Sequence, residues 1–282
     1  MTSALVMEGG AMRGMFTCGV IDTLMSAGVT FPAAAGISAG AVFGCNIKSR
    51  QPGRALRYNM KYCRDPRYCS LRSLLRTGDL YGADFCYRLL PDQLDPFDRE
   101  AFRENPMVFE IGATDVRTGR CVYHTCFDGG AEDMLWFRAS ASMPLVSRPV
   151  AVSGLLLLDG GIADAVPCAH MEALGYDRNV IVLTQPRGYR KKPISALPLY
   201  RLALRRWPAV YEAMAARHEM YNRQMDEIDA REASGAALVI RPPAPLNIGH
   251  TERNPAELER VYRVGQREAE RRMEEVKRFL EE

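Results

Sequence analysis

"VTFPAAAGISAGAVFGCNI", residues 29–47, reads as a short buried strand, a tight turn at Gly36-Ile37-Ser38-Ala39-Gly40 and a helix that starts directly behind the turn. An apolar run that breaks at small residues and then continues as a helix-forming stretch is a strand feeding a helix. The segment before it follows the same plan. "SALVMEGG" is a β-rich run that ends on glycines. "GMFTCGVIDTLMSAG" follows, with Met15, Phe16, Val20 and Leu24 at helical spacing and Gly28 to close the helix. Two strand-turn-helix units in succession predict an α/β fold with a parallel sheet.

Downstream, residues 52–106 mix prolines, aromatic residues and basic residues, and read as short helices and loops. "PMVFEIGATDV" reads as a strand and "GRCVYHTC" as its hairpin partner. "EDMLWFRASASM" is helical as far as Pro144. "GLLLLDGG" is an apolar strand broken by glycines, and "NVIVLTQP" is another strand. After Pro198 the chain is expected to be helical to about Glu232. "AALVIRPP" reads as a late strand and residues 254–282 as a charged helix.

The 282 residues are 47% hydrophobic and 25% charged, enough to bury a core without staples. The eight cysteines form no C-x-x-C pair. No secretory leader is visible, because Glu8 interrupts the apolar run Ser3–Met7. The cysteines therefore read as reduced thiols, and the expected location is cytoplasmic. His124, His170, His218 and His250 are scattered without metal-ligand spacing, so neither metal nor cofactor is expected. Thr23 to Ile47 carries no charge and is long enough to span a bilayer. Its glycines, small residues and Pro32 mark it as buried core instead.

The net charge of +3 is unevenly spread. Residues 48–76 hold nine Lys or Arg against one acid, and residues 187–206 hold seven and no acid. The rest of the chain is net acidic. Two basic segments on an acidic body point to an anionic partner. Arg54, Arg57, Lys61 and Arg64 fall at helical spacing and read either as one solvated face or as contacts to lipid headgroups. The expected contact is a peripheral one with an anionic membrane surface. Nucleic acid, suggested by tyrosines interleaved with Arg and Lys, is the poorer reading.

Ser38 is the candidate nucleophile. A serine hydroxyl must stand on a sharp turn within reach of a base. Gly36, Ala39 and Gly40 are small enough to keep that turn open. Gly9, Gly10 and Ala11, with Arg13 and Gly14 close behind, follow the first strand and offer backbone N–H groups to an oxyanion. Asp159, followed by Gly160 and Gly161 at the end of an apolar run, can bring a carboxylate close to another loop. Each piece has an ordinary reading as a turn. Their combination is the signal.

Taken together, these residues resemble the patatin-like phospholipase family. Its glycine-rich G-G-G-x-[RK]-G loop, G-x-S-x-G turn and D-G-[GA] segment stand here, in order, as Gly9 to Gly14, Gly36 to Gly40 and Asp159 to Gly161. Ala141-Ser142-Met143-Pro144 is similar to the family's A-S-x-x-P segment. Ala11 departs from the pattern, where a third glycine is usual. The resemblance covers roughly residues 4–185. It implies a three-layer sandwich and a lipid acyl hydrolase of the phospholipase A or lysophospholipase type. Ser38 would be the nucleophile and Asp159 the base of a dyad, with Gly9, Gly10 and Ala11 as the oxyanion hole. It also implies a catalytic domain over 1–190 and a mainly helical extension over 191–282 packing on the same domain.

Two other readings compete. A Ser-Asp-His triad of the α/β-hydrolase type could recruit His170 or His250 after Asp159. A non-catalytic lipid-binding protein could use the same fold. The presence of both Ser38 and Asp159 argues against the second.

Overall fold

The computed structural model describes residues 2–281 and realises the strand-turn-helix plan twice at its start. Strand β1 (Ser3–Met7) leads through the glycine loop into α1 (Gly14–Ser26). Strand β2 (Ala33–Ile37) leads through Ser38 into α2 (Ala39–Lys48). Helices α3 (Arg54–Tyr62), α4 (Leu71–Thr77) and α5 (Arg99–Glu104) follow, with a π-helical stretch at Phe85–Leu94 between the last two. The antiparallel hairpin β3 (Val108–Asp115) and β4 (Cys121–Thr125) precedes α6 (Ala131–Ser140). Then come β5 (Val150–Val152), β6 (Leu155–Asp159), α7 (Cys168–Ala173) and β7 (Arg178–Val182). Helices α8 (Leu197–Ala203) and α9 (Pro208–Ser234), strand β8 (Ala237–Ile240) and α10 (Pro255–Glu281) complete the chain.

The eight strands form one sheet in the order β5-β6-β3-β2-β1-β7-β8, with β4 pairing to β3 off that path. The run from β3 through β2, β1 and β7 to β8 is parallel, and β4, β5 and β6 enter antiparallel. Every residue of β2 is buried, as expected of a parallel strand covered on both faces. Alternate residues of β1 serve opposite layers. Leu5 and Met7 join the large core that also takes in Phe16, Val261 and Ala269 of α1 and α10. Ala4 and Val6 join Tyr221, Met225 and Ile228 of α9 on the other face. This period of two makes the three layers.

The last helix is tied in closely. A Cβ on Gly19 of α1 would strike the Tyr262 carbonyl, and one on Gly265 of α10 would strike the Phe16 carbonyl. The two backbones cross at a distance only glycine allows. Asp22 of α1 accepts hydrogen bonds from the Tyr262 hydroxyl and the Gly53 amide, both at 2.8 Å.

Several expectations need correction. Arg54 does not share a solvated face with Arg57, Lys61 and Arg64. It is buried, and donates to the Asp95 carbonyl at 2.7 Å and to Asn46 at 3.3 Å. The helix expected from Pro198 onward is two helices, because Pro208 forces Trp207 out of helical conformation, to φ −133° and ψ 68°. The helix before Pro144 stops at Ser140. Among the described residues, no helix is long and apolar enough to cross a membrane, and all eight cysteines are free thiols.

Candidate active site

Ser38 stands between β2 and α2 with φ 54° and ψ −120°, a conformation serine rarely takes. Such a residue costs about 1–3 kcal/mol and persists only where its surroundings impose it. Three features impose it here. The Ser38 amide donates to Ser140 Oγ at 2.8 Å. The Ser38 carbonyl accepts from Ala41 and Val42 in the first turn of α2, both at 3.0 Å. Glycines at 36 and 40 let the chain fold back on itself, since a Cβ on Gly36 would strike the Gly40 carbonyl and one on Gly40 the Met7 carbonyl.

The Ser38 hydroxyl donates to Asp159 Oδ2 at 2.8 Å. Asp159 ends β6 and is buried. Its other oxygen accepts the Gly161 amide at 2.8 Å, and its own amide donates to the Ser142 carbonyl at 2.8 Å. Burial pushes the Asp159 carboxyl above its ordinary range. The Arg217 charge, the Ser38 hydroxyl, the Gly161 amide and the Lys191 charge act the other way without cancelling the shift. A buried carboxylate with a raised pKa is a better proton acceptor than one in water.

The glycine loop lies against this pair. A Cβ on Gly9 would sit 3.0 Å from Ser38 Cβ. The Gly9 and Gly10 amides donate to no acceptor among the described residues. Ala11 adopts φ 48°, so the alanine that stands in place of a third glycine holds the left-handed conformation at a cost of about 1–2 kcal/mol. Glu8, just before the loop, is buried and accepts from the Tyr221 hydroxyl at 2.9 Å and from the Thr184 amide. Gly14 begins α1. Gly160 packs against Gly112, whose carbonyl a Cβ would strike.

Ser38, Asp159, Gly161, the glycine loop and Arg13 line one cavity of about 590 Å³. Much of its wall is apolar, including Leu80, Tyr87, Leu90, Leu145, Ile194 and Met214. Such a wall suits a hydrocarbon chain. Tyr87 and Leu90 come from the π-helical stretch, a geometry that recurs at functional sites.

Three cationic side chains reach the same cavity. Arg13 meets His250 Nε2 at 3.2 Å. Arg217 of α9 donates to the Gly161 carbonyl at 2.6 Å. Lys191 stands over the Tyr221 ring at 4.4 Å. Burial, with Arg217 beside it, lowers the Lys191 ammonium to about 8. Sequence reading does not single out Lys191, Arg217 or Ser140, because nothing in the spacing of these residues marks them as neighbours of Ser38.

The histidines considered for a triad bond neither Ser38 nor Asp159. His250 lines the cavity but bonds Arg13, and burial followed by the charges of Arg13, Arg217 and Lys191 lowers its pKa. His170 bonds Glu110 at 3.0 Å and stacks on Tyr123. His124, Cys126 and Asp133 place ligand atoms within 4.8 Å of one another. Asp133 is already engaged there, accepting from His124 at 2.7 Å and from the amides of Phe127, Asp128 and Gly129. That arrangement braces the loop before α6.

A family profile described as patatin-like phospholipase matches residues 5–171, and one described as a domain of unknown function matches residues 207–281. The chain is 28% identical over 288 residues to a protein of Escherichia coli (strain K12) called uncharacterized protein YjjU, covering 93% of this chain and 74% of that one. It is 25% identical to the lysophospholipase nte1 of Emericella nidulans, over 93% of this chain but only 17% of that protein. It is 30% identical over 183 residues to an NTE family protein of Mycobacterium tuberculosis (strain ATCC 25618 / H37Rv), covering 64% of this chain and 48% of that protein.

Proposed function

The chain belongs to the patatin-like phospholipase family, and from that membership and the geometry at Ser38 we propose that it is a serine acyl hydrolase of lipid carboxylic esters. The observation that carries the proposal is the 2.8 Å hydrogen bond from the Ser38 hydroxyl to the buried Asp159 carboxylate, in the wall of a largely apolar cavity.

In this reading Ser38 Oγ attacks the ester carbonyl while its proton passes to Asp159. The oxyanion rests on amides of the loop at Gly9, Gly10 and Ala11, with the positive charge of Arg13 nearby. Asp159 then gives the proton to the departing alcohol. A water molecule attacks the acyl-serine, returns a proton to Asp159, and the carboxylic acid leaves with Ser38 restored. Gly36 and Gly40 keep the turn open, and Gly161 holds Asp159 in place through its amide. No step calls for a metal or cofactor.

Covalent labelling with a fluorophosphonate tests this. The wild-type protein is expected to gain one adduct, placed on Ser38 by mass spectrometry, and Ser38→Ala and Asp159→Asn to gain none. His250→Ala is expected to label like the wild type, because its imidazole bonds Arg13 and not the dyad. Loss of labelling in His250→Ala would replace the dyad with a triad. A folded wild type that stays unlabelled with and without lipid vesicles would leave the lipid-binding reading.

A further inference from the structure

About half of the charge in the two basic segments is already committed inside the protein. In residues 48–76, Lys48 and Arg54 are buried, and Lys48 donates to the Asn105 and Met107 carbonyls. Arg57 pairs with Asp95 at 2.8 Å and Arg67 with Asp65 at 2.7 Å. In residues 187–206, Arg187 pairs with Glu232, Arg190 pairs with Asp226, and Lys191 faces the cavity. Of the rest, Arg64 donates to the Arg253 carbonyl at 3.3 Å, and Arg50, Lys61 and Lys192 are exposed outside α4 and α8. The remaining five arginines lie on or beside those two helices. Arg72 and Arg76 on α4, Arg201 on α8, and Arg205 and Arg206 just beyond it are exposed. None of the five side chains makes a hydrogen bond or ion pair among the described residues.

The same two helices carry exposed leucines. Leu71 and Leu75 of α4 are 72% and 87% exposed, and Leu199 and Leu202 of α8 are 55% and 66% exposed. The pairs stand at i,i+4 and i,i+3, so each shares a face. Neither helix has a single buried residue. A surface helix normally turns its leucines inward; here only Leu74 and Leu197 are even half-buried, and the other two of each helix face out.

Both helices adjoin the Ser38 cavity. Leu80 and Tyr81, just after α4, line it, as do Ile194 before α8 and Tyr200 within it. Buried Asp79 anchors the end of α4 to the same wall, accepting from the Arg148 amide at 2.9 Å and from Arg138 at 3.0 Å.

We propose that α4 and α8 form a docking surface for an anionic lipid bilayer. The four leucines enter the boundary between headgroups and acyl chains, and the five arginines meet headgroup phosphates. Unpaired arginines alone would suit any polyanion. Exposed leucines on the same short helices add nothing to binding a nucleic acid and favour an interface that is apolar just beneath its charge. No acid lies between Pro66 and Gly78 or between Lys191 and Trp207 to oppose that approach. The surface stands on these side chains and does not depend on the hydrolase reading.

Vesicle co-sedimentation tests it, using wild type, Ser38→Ala, a variant with Leu71, Leu75, Leu199 and Leu202 changed to Ser, and a variant with the five arginines changed to Gln. Vesicles are phosphatidylcholine alone or with about one third phosphatidylserine, at low and raised salt. Wild type and Ser38→Ala are expected to sediment alike with the anionic vesicles, more weakly with neutral ones, and less as salt rises. Each surface variant is expected to bind at least about tenfold more weakly, with an unchanged melting temperature as the control for folding. Full binding by either variant, or no binding of wild type at low salt, overturns the proposal. So does capture by DNA that matches capture by vesicles and survives the leucine changes. An inert Ser38 with intact vesicle binding would refute the hydrolase reading alone.

Discussion

The Ser140 hydroxyl accepts the Ser38 amide hydrogen at 2.8 Å and donates its own hydrogen to the Gly112 carbonyl at 2.7 Å. It therefore ties the turn at the end of β2 to strand β3 and holds Ser38 in a conformation the isolated chain would leave. Ser140→Ala strands one amide and one carbonyl. The expected cost is about 1–3 kcal/mol in stability and roughly a 10- to 100-fold slower fluorophosphonate reaction at Ser38. KM for a short soluble ester should hardly move, because Ser140 does not line the cavity. A variant that loses stability but labels at the wild-type rate would reduce Ser140 to a packing role.

Asp159 is expected to oppose stability at neutral pH while serving activity. Its folded pKa lies above its ordinary value, chiefly through burial. The stability linked to that shift is fully present below the unfolded pKa and is lost as pH rises through the folded one. An asparagine never pays the cost of a buried charge. Asp159→Asn should therefore be more stable than wild type near pH 7, melting at a higher temperature, with the gap closing toward about pH 3. The same variant should not label. A wild type that is more stable at neutral pH would mean that Arg217 and Lys191 together outweigh burial.

The parts of the site that are legible in sequence are those the chain carries in short runs. Ser38 between two glycines, the glycine loop after β1 and Asp159 before Gly160 each announce a turn, and their order joins them. The parallel sheet is legible because β1, β2 and β7 are apolar runs bounded by turn residues. The rest depends on contacts between distant segments. Ser140 is a helix-end serine with no local mark. Arg217 sits in α9 among other charged residues, and only the fold aims it at Gly161. Arg54 matches its exposed neighbours in spacing, yet Asp95 draws it inward. Strand β5 has three residues, too few for periodicity to show. The π-helical stretch contains Pro91, which reads as a helix breaker until the wider turn accommodates it.

Lys191 should set an alkaline limb. Its pKa of about 8 puts the loss of its charge within a measurable range. While protonated, it stands in the same cavity as Ser38 and favours negative charge there. As pH climbs through about 8 that support disappears. kcat/KM on a soluble ester should then fall by roughly three- to tenfold in the wild type. Lys191→Met should start low and show no such limb. A limb with the same midpoint in the methionine variant would assign it to another group.

The crossing of α1 and α10 sets two effects against each other. Alanine forms helix better than glycine by about 1 kcal/mol, so Gly19→Ala and Gly265→Ala would each stabilise an isolated helix. In the protein, the added methyl groups meet the Tyr262 and Phe16 carbonyls. Both are main chain and cannot rotate away like a side chain. Overpacking of this kind costs about 1–3 kcal/mol or more. The helices must separate along a contact that buries Leu258, Val261 and Ala269. Each substitution is therefore expected to destabilise by about 2 kcal/mol net in urea denaturation. The double variant should lose less than the sum, because one separation makes room for both methyl groups. Because α1 begins at Gly14, beside the glycine loop, both variants should also label more slowly at Ser38. Net stabilisation in either would mean that the crossing relaxes freely and that helix propensity decides.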